Sequence, residues 1–289
     1  MSSYVSLGIH HLTWVVPRES RIRRIRNSRP NRDESFLLGN GAGIMKIPIL
    51  SGLIRRRILV NYRVEPKTLQ RILPQPFQPK LINGMGIAGI CLIRLEHIHP
   101  RWIPIQQGFD SENAAHRIAV IWYENGELRE GVYIPRRDTS SQLNVAAGGR
   151  VFPGVHHHSH FEIREDDRIL CLQMKNEQDD TRVELEAEYS SEFERDSVFQ
   201  SISDASIFFE GGSIGYSVTL EPNKLDAIEL RTFDWRLRPL RVRHLVSSFY
   251  ENHSMFPVDA ISFDCALMMQ NLAHEWHAHQ PFSIEPVNG

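Results

Sequence analysis

Four histidines crowd one short run, His156-His157-His158-Ser159-His160, directly after a glycine-rich turn, Gly148-Gly149-Arg150-Val151-Phe152-Pro153-Gly154. Imidazole titrates near neutral pH, so such a run can supply acid–base groups or metal ligands. Read as one strand, its side chains alternate between two faces. Val155, His157, Ser159, Phe161 and Ile163 share a face that is apolar except at His157 and Ser159. His156, His158, His160, Glu162 and Arg164 share the other. The apolar face is expected to point inward, which makes His157 the candidate acid–base group; a satisfied core histidine would show the same pattern. The trio His156, His158 and His160 is the alternative, a metal site from alternate strand positions. No CxxC, HExxH or facing carboxylate motif accompanies it, so the leading expectation is no metal and no cofactor. A second cluster, His274-Glu275-Trp276-His277-Ala278-His279, also lacks HExxH spacing.

Composition narrows the classes of function. The chain has 289 residues, a formal net charge of −2, 41% hydrophobic and 24% charged residues, all ordinary for a globular protein. Nothing global favours nucleic acid or an anionic membrane. Arginine outnumbers lysine 28 to 5, so any reactive amine must be Lys46, Lys67, Lys80, Lys175 or Lys224. Cys91, Cys171 and Cys265 sit in apolar surroundings and read as buried thiols. No apolar run is long enough to span a bilayer, and the stretch from Tyr4 to Val16 lacks the charge and cleavage site of a signal peptide. A cytoplasmic protein is expected, with a homo-oligomer as an open possibility.

Two regions differ in character. Residues 1–44 gather Arg18, Arg21, Arg23, Arg24, Arg26, Arg29 and Arg32 without hydrophobic periodicity, and are expected to be a basic, disordered extension; a basic docking arm is the alternative. Residues 45–289 read as one domain rich in strands. Residues 57–64 are rich in β-branched and aromatic residues and read as a strand, Pro66 opens a short helix to about Leu73, and residues 84–95 are a long apolar strand candidate. Asn125-Gly126 between two such runs marks a hairpin. Ile169–Lys175 should pair with Val183–Tyr189, and Asp196–Phe209 is the best helix candidate. Residues 213–220, 227–232 and 260–269 read as further strands. Many strands and few helices predict a mainly β (α+β) closed barrel or sandwich with peripheral helices.

With these elements in place, the chain resembles the acetoacetate decarboxylase-like superfamily, and within it the YqjF-like family, domain of unknown function 2071. The resemblance rests on Tyr62 to Leu69 with Leu73-Pro74-Gln75-Pro76, on Ser111 to Ile118, on Val132 to Asp138, and on Gly148-Gly149-Arg150 followed by Pro153-Gly154. It implies a cone-like closed β-barrel around a small-molecule cavity. Arg63 would bind a carboxylate and Glu112 would move protons, with Arg150, Ser159 and Cys91 nearby. It also shows a departure. The decarboxylase uses a lysine as a Schiff-base amine beside a second lysine, an arrangement of general interest for lowering an amine pKa; those two positions fall at His157 and His158, and its second glutamate falls near Cys91. Imidazole cannot form a Schiff base, so decarboxylation is not carried over. The leading reading is a protein that binds a small organic acid or carbonyl compound, with His157 and Glu112 moving protons as in an isomerase, hydratase or non-covalent lyase. The alternatives are a non-catalytic carrier or sensor, and a metal-dependent enzyme using the histidines.

Overall fold

The computed structural model describes residues 48–103, 108–147, 149 and 152–284. The basic segment 1–44 and Arg150 lie outside the described residues. The chain starts with β1 (Leu50–Val64), then α1 (Pro66–Ile72), which Pro66 opens at its first turn as expected. Two short strands, β2 (Gln78–Pro79) and β3 (Leu81–Ile82), precede β4 (Met85–Pro100). β5 (Phe109–Glu124) and β6 (Glu127–Thr139) form the expected hairpin. Asn125 and Gly126 both hold positive φ, 52° and 82°, as a two-residue turn of this hand requires.

The histidine run follows α2 (Gln142–Ala146), as β7 (His156–His158) and β8 (His160–Glu165). β9 (Ile169–Lys175) and β10 (Arg182–Tyr189) pair antiparallel, as read from the sequence. α3 (Ile202–Glu210) is shorter than the expected 196–209 helix, because Ser201 caps it by accepting a hydrogen bond from the Asp204 N–H. β11 (Ile214–Val218), β12 (Lys224–Thr232) and β13 (Arg238–Ser247) follow. β14 (Ile261–Ser283) is 23 residues long, more than twice the strand expected there. Its second half carries the polar His274–His279 cluster, which hid its extended conformation.

The sheet closes on itself. β1 pairs β4, then β5, β6, β11, β12 and β14 follow in order, and β14 returns to pair β1 from Leu50↔Trp276 to Val64↔Ile261. β13, β10, β9 and β8 extend from β14 as an outlying layer. Alternation along β1 divides its side chains between two apolar cores: Ile58 and Val60 join one with Leu170, Leu172 and Leu185, while Leu59 joins the other with Ile93, Phe152 and Phe208. No helix among the described residues is long and apolar enough to cross a membrane.

Candidate functional site

All seven strands of the closed circuit contribute to the wall of one cavity. Arg57 comes from β1, Cys91 and Ile93 from β4, Arg117 from β5, Arg137 and Asp138 from β6, Gly215 from β11, Leu230 from β12 and Trp276 from β14. α2 adds Asn144, and β7 adds His156. The cavity volume is about 80 Å³. At about 10–15 Å³ per water site, that is room for roughly five to eight non-hydrogen atoms.

Three guanidinium groups define its electrostatics. Arg117 is 4% exposed, donates to Asn61 Oδ1 at 2.5 Å and lies 5.0 Å from the Phe209 ring, while its Nε has no partner. Arg137 donates from Nε to Ser217 Oγ at 2.8 Å. Arg57 makes only a weak contact with Cys91 Sγ at 3.4 Å and lies 5.6 Å from the Trp235 ring. Burial lowers the pKa of Arg117, and pushes that of Arg137 down to about 10. Among the described residues, no carboxylate lies within 4 Å of any of the three. The one carboxylate on the wall, Asp138, is already claimed: Arg136 grips it with two hydrogen bonds of 2.8 and 2.7 Å, and Ser159 Oγ donates to it at 2.9 Å. The cavity wall is therefore positively charged, which favours an anion.

His156 is the histidine on this wall. Its Nδ1 lies 3.1 Å from the Gly154 carbonyl, which can only accept, so Nδ1 carries the proton and Nε2 keeps its lone pair. Burial, with Arg137 beside it, lowers its pKa to about 3. The ring is thus neutral at physiological pH. Gly154 sets its approach: φ is +94°, and a Cβ there would meet Ser217 Cβ at 2.5 Å.

The structure redistributes the residues expected from sequence. His157 is half-buried but not on the cavity wall. His157 keeps the parity of buried Ser159, which bonds Asp138 and accepts from Asn176, and the alternation with exposed His158, His160 and Glu162 carries on through β8, so this face meets a core and not the cavity. Phe161 and Ile163 pack instead on the core beneath β9 and β10. Glu112 also faces away. It pairs with Arg56 at 2.9 Å, which in turn holds Glu165 at 2.9 Å, and burial raises its pKa against the pull of Arg56. Arg63 lies beyond the cavity, donating to Ser262 Oγ and the Asp196 carbonyl, with Asp264 at 3.8 Å. It has the same parity as Arg57 but lies six residues further along β1, past the end of the cavity wall, and Arg57 takes the inward position. Cys91 is on the wall, and Ser159 stands behind it through Asp138. His158 and His160 are exposed, and no group of three His, Cys, Asp or Glu among the described residues is arranged to hold a metal.

Sequence reasoning missed Arg57, Arg117, Arg137, Asn144 and Trp276. A signal for Arg117 was present: Asn113, Ala115 and Arg117 share one face of β5, and Arg117 leads into the apolar run Ile118 to Tyr123. Arg57 was hidden in Arg55-Arg56-Arg57, where nothing in composition separates the inward residue from its neighbours.

Comparison with solved structures identifies the class. An acetoacetate decarboxylase from Legionella pneumophila superposes with a TM-score of 0.53 at 13% identity, covering 82% of this chain and 87% of that one. An acetoacetate decarboxylase-like enzyme from Sphingomonas wittichii gives 0.51 at 12% identity, covering 86% and 98%. The enduracididine biosynthesis enzyme MppR, complexed with pyruvate, gives 0.52 at 9% identity, covering 84% and 93%. The fold is thus acetoacetate decarboxylase-like. Residues 54–250 match the DUF2071 family, described as an uncharacterized conserved protein, and the chain belongs to that family. No curated protein sequence matches it.

Proposed function

We propose that the cavity binds a small organic acid, held by Arg57, Arg117 and Arg137, and that any chemistry there proceeds without a covalent amine. The observation that carries this is three buried or half-buried guanidiniums facing one cavity with no carboxylate among the described residues to neutralise them. Burying an unpaired cation costs several kcal/mol, so such a cluster is retained where an anion completes it. The cavity lining among the described residues includes no lysine. Lys80 lines an adjoining recess and is tied to Glu130 at 2.6 Å and the Phe208 carbonyl at 3.0 Å. A carboxylate beside His156 would favour the imidazolium and bring the ring toward a useful acid–base range.

A second reading, a non-catalytic carrier or sensor, draws support from the same wall. Asp138 and Asn113 have their hydrogen bonds filled by Arg136, Ser159, Thr139 and Ser111, which leaves His156 as the single uncommitted proton-transfer group named here. Thermal melting against carboxylates of three to five carbons tests binding, since a ligand raises the melting temperature by mass action whether or not it reacts. Product analysis by NMR then separates the two readings. Borohydride reduction with a keto acid should give no lysine adduct. Failure of every small carboxylate to stabilise the protein would refute the anion site.

A further inference from the structure

One thiol lies in the middle of the arginine cluster. On β4, Cys91 stands directly opposite Leu59 of β1 and Ala115 of β5. Arg57 is one diagonal step away on β1, level with Ile93, and Arg117 is one diagonal step the other way on β5, level with Gly89. Diagonal neighbours of this kind are within reach of long side chains. Arg137 of β6 stands opposite Ala115, so only a methyl group separates it from Cys91 along that row. Cys91, Ala115 and the three arginines all line the same cavity, and Arg57 Nε donates to Cys91 Sγ at 3.4 Å. Burial lowers the pKa of Arg117 and of Arg137, and for both the charge of a Cys91 thiolate is the largest influence opposing it.

The wall around this thiol also holds polar groups that await a ligand. Arg117 spends one of its five N–H groups on Asn61, and its buried Nε has no partner. Among the described residues the terminal nitrogens of Arg57 and Arg137 are likewise without partners. Asn144, 2% exposed, lines the cavity with its Oδ1 unpartnered. The other two cysteines have no such setting. Burial, with Asp264 alongside, pushes the Cys265 thiol up. Cys171 is half-buried in a surface groove that it shares with Arg164 and three carboxylates, Glu162, Glu184 and Glu186.

Resting on the anion reading above, we propose that Cys91 is the nucleophile of this cavity, and that the ligand is a short acid whose carbon next to the carboxylate is electrophilic. The arginines hold the carboxylate and so bring that carbon to Sγ. With a 2-oxo acid, the Sγ–C bond forms at the carbonyl carbon, the π pair moves to oxygen and the thiol proton follows it, giving a hemithioketal with no co-reactant. With iodoacetate, the Sγ–C bond forms as the C–I bond breaks, iodide leaves with the electron pair, and the thiol proton passes to the buffer.

Iodoacetate and iodoacetamide test this, because they differ in charge and hardly in size. Alkylation of the folded protein by each reagent at one pH is followed by mass spectrometry at each cysteine. At Cys91 iodoacetate should react about tenfold faster than iodoacetamide, with a rate that saturates in reagent and falls when acetate is added. At Cys171, among carboxylates, iodoacetamide should be the faster. Arg57→Met should bring the Cys91 ratio down to that of Cys171, and Arg137→Met provides the second variant should the first fail to fold. No alkylation of Cys91, or equal rates with the two reagents, would overturn the proposal, and the anion site would stand if small carboxylates still raised the melting temperature. Equal rates with no carboxylate raising the melting temperature would overturn both. A preference for iodoacetate unchanged in both variants would refute the assignment of the carboxylate to these arginines.

Discussion

Replacing Arg137 by methionine should make the empty protein more stable and the ligand-binding protein useless. Burial pushes the Arg137 guanidinium down to about 10 from its ordinary value of 12.5. That depression corresponds to about 3 kcal/mol of unfavourable free energy in the folded state. The sign follows from the charge. The guanidinium is protonated in both folded and unfolded chains at neutral pH, so the penalty is fully present below about pH 10 and is relieved only as pH rises toward 12.5. Methionine removes the charge and keeps most of the length. It also removes the hydrogen bond to Ser217 Oγ, which contributes about 1 kcal/mol. The net gain is about 2 kcal/mol, or about 4–8 °C in melting temperature for a domain of this size. Differential scanning calorimetry of Arg137→Met without ligand, then with a saturating small carboxylate, checks both halves. The variant should melt higher alone, and the ligand-induced rise seen in the parent should shrink as affinity falls by about tenfold to a hundredfold. A variant that melts lower and still responds fully to the carboxylate would refute the idea that this cation is kept for a ligand.

Acid should destabilise the fold earlier than its carboxylates alone predict. Burial lowers the pKa of His116 to about 3 and that of His274 to about 4, as it does for His156 at about 3. Below pH 6.5 the unfolded chain takes up protons that the folded chain refuses, so stability falls with pH by up to about 1.4 kcal/mol per histidine per unit. His116 has no hydrogen-bond partner and packs 4.5 Å from the Phe249 ring, so His116→Phe should flatten the slope of urea stability between pH 6 and 4.5; an unchanged slope would contradict this. Arg56→Met should cost about 3–5 kcal/mol, because it strands buried Glu112 with only Arg94 at 3.9 Å. Glu112→Gln should leave carboxylate affinity within about twofold, since Glu112 faces away from the cavity; a larger loss in titration would return Glu112 to the site.

The legible parts of this chain were those governed by local chemistry. Asn125-Gly126 dictated its own turn, the Glu-alternating stretch of β10 its own faces, and Pro66 the start of α1. The neighbourhood of the cavity was also readable, since Cys91, Asp138 and the histidine run all meet there. What sequence could not give was which buried face borders the cavity. The odd face of the histidine run packs on the core beneath β9 and β10, which leaves His156 on the wall and His157 off it, and Arg63 shares the parity of Arg57 but lies six residues further along β1. Alternation separates two faces without saying what each one meets. Nor does an arginine announce whether its charge is paired; Arg136 and Arg137 are neighbours in sequence, yet the first holds Asp138 and Asp179 while the second holds only a serine.

The pairing of β1 with β14 bears on how the chamber comes into being. The earliest and latest strands of the described chain are edge partners over 14 registered positions. During synthesis the five intervening members of the circuit can assemble pairwise, but both flanks stay open until the stretch from Ile261 has emerged. Such long-range closure is slow and comes at the end of folding. Until then Arg57, Arg117 and Arg137 remain hydrated, so the burden of shutting three like charges into one space falls on the last seam to zip, and a small anion present at that moment would ease it.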